Sequence, residues 1–178
     1  AVGVSVLLHK GRVVLIADTL VHEWPEAEDL ADIAIRAAGV ARGLGIEPRV
    51  AFVSFSTFGY PISERAEKMH RAPSVLERRG VDFEFEGEMT VDVALNPAAA
   101  ANYPFSRLTG PANILVCPAR HSASISVKLM QEMAGAMVIG PILTGVPKPI
   151  QICSTGATVN DILNMAVMAA ARIGFKNT

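Results

Sequence analysis

Short runs of mostly apolar residues recur along this chain, separated by segments of helical period. Residues 4–8, 13–16, 49–54, 114–117, 136–139 and 149–153 are such runs, each four to six residues long. A strand with one wet face alternates apolar and polar residues, whereas a strand covered on both faces does not. The runs therefore predict buried strands in a sheet with helices on both sides. Phe83 and Phe85 alternate with Glu84 and Glu86, which predicts one further strand with a wet face. Lys10-Gly11 between the first two runs reads as a hairpin turn. The expected fold class is α/β: a three-layer α/β/α arrangement around a mainly parallel sheet, with the opening hairpin as an antiparallel edge.

The helices are equally legible. Pro25 sits at a first helical position with Glu26, Glu28 and Asp29 in the first turn, where acidic side chains meet the positive end of the helix dipole. Leu30, Ile33, Ala34, Ala37, Ala38, Ala41 and Leu44 repeat at i, i+3, i+4 and i+7, and Gly43 and Gly45 stop the helix. Further helices are expected over 63–79, punctuated by Pro73, and over 89–95, 122–133 and 158–173, with a loop over 96–111. Residues 161–173 are apolar on almost every side, and the methionines Met130, Met133, Met137, Met165 and Met168 crowd the same third of the chain. Such a helix is either a core helix or a subunit or domain contact.

Composition narrows the function. The chain has 178 residues, 51% of them hydrophobic, with 16 Lys+Arg against 17 Asp+Glu. Disorder is excluded, and the basic excess of a nucleic-acid partner is absent. No apolar run reaches the roughly 18 residues of a membrane span. Cys117 and Cys153 read as reduced, buried thiols of a cytoplasmic protein. His9, His22, His70 and His121 lack metal-ligand spacing, so no metal site is expected. The apolar opening Ala1-Val2-Gly3-Val4 reads as the interior of a larger fold.

Three predicted strand ends are rich in hydroxyls and glycine, and ligands of open α/β sheets bind at such ends. They are residues 54–59, 140–145 and 154–158. Thr158 and Asp161 form a near capping box, so 154–157 lies ahead of a helix N-terminus, a place that attracts anions. An ordinary capped turn explains the same residues. Glu88 and Asp92, four apart, are placed to share a helix face, and the favoured account of them is capping or a solvated face. No Walker-type phosphate loop, G-x-S-x-G elbow or G-x-G-x-x-G fingerprint is present.

Longer segments carry a resemblance. ADTLVHEWPEAEDLADIAIRAA at 17–38, VAFVSFSTFG at 50–59, GEMTVDVAL at 87–95, GPANILVCP at 110–118, the 128–150 run and STGATVNDI at 154–162 resemble the phosphate acetyl/butyryl transferase family. YPFSRLTGPAN at 103–113, and Phe58 where true transacetylases more often carry Lys, look most like the C-terminal transacetylase-like domain of hybrid NADP-dependent malic enzymes.

The resemblance implies a fold related to isocitrate and isopropylmalate dehydrogenases, built from two subdomains. This chain would supply the second subdomain and the returning C-terminal elements, downstream of a malic-enzyme domain. It implies a homo-oligomer, dimer or higher. It also implies acetyl transfer between coenzyme A and phosphate, with Asp161 as the base on the thiol and Ser154 stabilising developing charge. The family's arginine falls on Thr155, one neutral hydroxyl in place of a fixed positive fork. The resemblance therefore favours a domain that binds acetyl-CoA or CoA for regulation and assembly; the alternative is a working phosphate acetyltransferase, with Arg107 or Lys148 as the replacement cation. Ser56, Thr57, Thr144, Ser154, Thr155 and Gly156 are the expected coenzyme-binding residues. NADP and a divalent metal would belong to the upstream malic-enzyme domain.

Overall fold

A computed structural model of the chain describes residues 1–171, apart from the side chain of Arg65. The elements run β1 (Val2–His9), β2 (Arg12–Ala17), α1 (Ala27–Gly43), β3 (Arg49–Val53), α2 (Glu64–Arg79), β4 (Glu84–Met89), α3 (Val91–Leu95), α4 (Pro97–Ala100), β5 (Ile114–Val116), α5 (Arg120–Ala134), β6 (Met137–Thr144) and α6 (Val159–Ala170). The six strands form one sheet in the order β4-β3-β5-β2-β1-β6.

The apolar runs are continuous because each strand divides its side chains between two cores. Val50 and Phe52 of β3 enter one core, and Ala51 and Val53 the other. Leu15 and Ala17 of β2 oppose Ile16, and Ile114 and Val116 of β5 oppose Leu115. The first core is closed by α1 and α2 through Leu30, Ile33, Met69 and Leu76, all fully buried. The second is closed by α3 and α5 through Val93, Ala123 and Val127. Each large side chain buried in this way contributes about 1.5–3 kcal/mol.

Local signals set the joints. Lys10 and Gly11 both sit at positive φ (48° and 74°), the twist of a two-residue hairpin loop that pairs His9 with Arg12. The α1 helix ends in a Schellman motif: Ile46 N–H reaches the Ala41 carbonyl (2.9 Å) and Gly45 N–H reaches that of Arg42 (2.9 Å), with Gly45 at φ 77°. Gly45 thus makes the stop, and Gly43 is the last helical residue.

Four expectations change. The hairpin is not the edge of the sheet: β6 adds antiparallel to β1, so β1 is the one reversed strand and lies second from the edge. Residues 149–153 form no strand. Pro147 and Pro149 remove backbone donors there, and the Gln151 side chain reaches β6 instead, accepting from Leu143 N–H (2.9 Å). Glu86 does not line a wet face; it is buried and paired with Arg107. Glu88 and Asp92 share no helix face, because Glu88 belongs to β4 and Asp92 to α3.

The apolar last helix is not a core helix within this chain. Met165 is buried, while Val159, Ile162, Leu163 and Val167 are exposed. Ile125, Leu129 and Met133 of α5 and Met137 of β6 are exposed as well. Arg172 and Ile173, at the end of the expected helix, lie outside the described residues. No described helix is long and apolar enough to cross a membrane.

Candidate functional site

The sheet's connections open one crevice. The chain leaves β3 through α2 on the first face and moves outward to β4. It leaves β5 through α5 on the second face and moves the other way, to β6. Adjacent strands whose connections diverge leave a gap at their carboxyl ends, the usual ligand position in open α/β sheets. The loop after β3, residues 54–61, and the short turn 117–119 after β5 flank this gap.

Two buried carboxylates shape the loops at that end. Asp18 follows β2 and accepts five hydrogen bonds. Oδ1 takes the N–H groups of Gly3 (3.0 Å), Leu20 (2.7 Å) and Val21 (3.0 Å); Oδ2 takes His22 N–H (2.9 Å) and lies 2.7 Å from His22 Nδ1. A carboxylate only accepts, so Nδ1 carries the proton. The loop so folded presents Trp24, 69% exposed, between the His121 ring (5.1 Å between centroids) and the Lys68 amine (5.8 Å from the ring).

Glu88, 0% exposed at the end of β4, holds the loop after β3. Its Oε1 accepts from Ser56 Oγ (2.8 Å) and Gly59 N–H (2.8 Å), and its Oε2 lies 2.9 Å from His70 Nδ1 on α2. Thr57 Oγ1 is tied to Thr90, accepting from its N–H (3.1 Å) and lying 3.2 Å from its hydroxyl. The Phe58 ring meets Tyr103 and Phe105 at centroid distances of 5.3 and 4.9 Å.

Of the charged candidates, Lys148 is exposed in the turn after β6, while Arg107 and Asp161 are engaged. Arg107 forks onto Glu86 through Nε and Nη2 (3.1 Å each), pairs with Glu77 and covers the Phe85 ring. The Glu86 hydrogen bond raises the Arg107 pKa above its ordinary value. Asp161 completes the capping box of α6: its Oδ2 accepts from Thr158 N–H (2.8 Å) and Oγ1 (2.7 Å). Those bonds, the backbone one first, hold its carboxyl below the ordinary value. A carboxylate at the α6 N-terminus also occupies the positive end of the dipole that an anion would use.

The structure separates the expected binding residues. Ser56 and Thr57 share one loop, and their hydroxyls are bonded within it. Thr144 is buried at the end of β6, four strand spacings from β3, about 19 Å away. Ser154, Thr155 and Gly156 are exposed in the turn before α6. Cys117 is buried, its thiol pushed up to about 12 by desolvation, but Cys153 is exposed in that turn rather than buried. A cavity of about 280 Å³, lined by Met89, Val93, Tyr103 and Leu108, lies against α3 and α4 rather than in the crevice. Among the described residues no group of three or more His, Cys, Asp or Glu is placed to hold a metal ion.

Residues 1–170 match the description phosphate acetyl/butaryl transferase. The chain belongs to that family. Among its relatives is an NADP-dependent malic enzyme of Rhizobium meliloti, 54% identical over 97% of this chain but only 23% of the enzyme. A phosphate acetyltransferase of Bacillus subtilis is 33% identical over 96% of this chain and 53% of its own length. A phosphotransacetylase structure from Staphylococcus aureus superposes with a TM-score of 0.88 at 28% identity, over 97% of this chain and 54% of that one. The chain therefore spans about half the length of these two phosphotransacetylases and under a quarter of the malic enzyme.

Within the family fold, Asp18 and Glu88 are the site-shaping residues that sequence reasoning missed. Asp18 had a signal, an acidic residue placed directly at the end of an apolar strand, where burial requires several donors; Glu88, in a strand that alternates acidic and apolar residues, had none.

Proposed function

We propose that this chain is the acetyl-CoA-binding regulatory and assembly domain of an NADP-dependent malic enzyme, which converts malate to pyruvate and CO2. The observation that carries the reading is the 54% identity to a malic enzyme confined to 23% of that enzyme's length. Thr155, neutral where the family resemblance places arginine, and Asp161, committed to a helix cap, support binding over catalysis. Arg107 is held by Glu86 and Glu77 and is no replacement cation. On this reading the chain is the second subdomain of an isocitrate dehydrogenase-like fold plus returning elements, in the cytoplasm, downstream of the domain that holds NADP and a divalent metal. Calorimetric titration of acetyl-CoA into the full-length protein should show binding, and malate-dependent NADPH formation should change with it, because regulation is a coupling free energy between two sites. No heat of binding and no change in malic activity would reject the reading.

The second reading is a working phosphate acetyltransferase. It is favoured by the 0.88 TM-score to a phosphotransacetylase, and acetyl-CoA formation from acetyl phosphate tests it.

The exposed apolar faces of α5 and α6, with Met137 on the edge strand, support the assembly part of this reading. Faces of this kind mark interaction sites. Light scattering on a size-exclusion column should give a dimer or larger species for the full-length protein; a clean monomer would exclude the assembly role.

A further inference from the structure

Phe58 sits at φ 49°, a left-handed conformation that is costly for a bulky side chain. Such a residue persists only where its surroundings over-determine it, and such positions gather at ligand clamps and active sites. Here one residue supplies three of the bonds that hold the turn, beside the Tyr103 and Phe105 rings packed on Phe58. The Glu88 carbonyl accepts Phe58 N–H (2.8 Å), and its carboxylate takes Gly59 N–H and Ser56 Oγ. Its second oxygen is turned to His70 on α2, so Glu88 joins the loop, the sheet and the helix layer.

Two of the loop's hydroxyls, those of Ser56 and Thr57, turn inward. Ser56 is buried against Glu88, and Thr57 is bonded to Thr90. The N–H groups of Ser54, Thr57, Phe58, Gly59 and Tyr60 are likewise bonded within the loop or to β4, which leaves the Phe55 and Tyr60 side chains exposed on either side of the clamped turn. Where those side chains stand beside the β3–β5 crevice depends on how the turn is held.

We propose that Glu88 is the positioning residue of the coenzyme-binding loop: it fixes residues 54–60 in the form that receives acetyl-CoA. The proposal rests on the reading of this chain as an acetyl-CoA-binding domain. Ligand affinity then follows the acceptor at Glu88 Oε1 rather than the bulk stability of the domain.

The test is calorimetric titration of acetyl-CoA into the full-length protein and its Glu88→Ala, Glu88→Gln and Ser56→Ala variants, with a thermal melt of each. Glu88→Ala should weaken binding by about tenfold or more, the scale of losing one or two buried hydrogen bonds. Glu88→Gln keeps an oxygen for Ser56 and Gly59, and its amide N–H can face the other tautomer of His70; it should recover affinity to within about threefold of the parent. Ser56→Ala, which removes a single donor, should weaken binding by about threefold while remaining folded. If Glu88→Ala does not fold, Ser56→Ala and Glu88→Gln decide the matter. Parental affinity in Ser56→Ala or in a folded Glu88→Ala overturns the positioning role, and so does a folded Glu88→Gln without recovery. Absence of binding by the parent protein instead rejects the acetyl-CoA reading, and the proposal falls with it.

Discussion

Replacing Asp18 by alanine is expected to destabilise the protein by about 3–5 kcal/mol, because several buried or half-buried N–H groups lose their acceptor at once. Gly3, Leu20, Val21 and His22 each donate a backbone N–H to this one carboxylate, and His22 adds its ring. Water can replace some of these partners at the loop surface, but Asp18 itself is only 2% exposed, and the Gly3 bond lies inside the sheet. The loop packs tightly there, since a Cβ at Gly3 would collide with the Leu20 side chain. Asp18→Asn should fall between, with a loss of about 1–3 kcal/mol, because one oxygen can still serve three donors while the amide N–H confronts those of His22. Urea unfolding monitored by circular dichroism reads both changes as shifts in midpoint at constant slope. An alanine variant with the parental midpoint would show that the carboxylate contributes nothing net to the loop.

The layers of this fold were readable from sequence because burial on both faces leaves a direct mark. Residues 50–53 and 114–116 are apolar without interruption, and each divides its side chains between two cores. The α1 stripe from Leu30 to Ala41 is likewise the surface that α1 buries. What sequence could not convey was pairing. Strand order depends on long-range register, so the hairpin reading was right while its place at the edge was not. The acidic residues of β4 misled for a related reason. Glu86 and Glu88 read as solvated, but their partners Arg107 and Ser56 stand 21 and 32 residues away in sequence. At the candidate site, Thr158 and Asp161 were legible because a capping box is local, and the structure completes it. The buried hydroxyls of Ser56 and Thr57 were not, since strand-end position alone does not say which way a hydroxyl turns.

Thr155→Arg is expected to produce the largest functional gain. An arginine at the place where charge develops in acyl transfer to phosphate contributes two to three orders of magnitude in rate, so restoring it should raise acetyl-CoA formation from acetyl phosphate by at least about tenfold in the full-length protein. The side chain has room, because Thr155 is exposed in the turn ahead of α6 and Gly156 has no atoms within 4 Å of a Cβ placed on it. Asp161→Asn in the Thr155→Arg background should abolish the gained turnover if Asp161 receives the thiol proton, while circular dichroism reports whether α6 survives the change to its cap. The opposite result is equally informative. Turnover unchanged by Thr155→Arg, with acetyl-CoA still bound, would mean that a neutral residue at 155 is not what limits catalysis, and that the commitment of Asp161 to Thr158 leaves the thiol without a base whatever cation stands beside it.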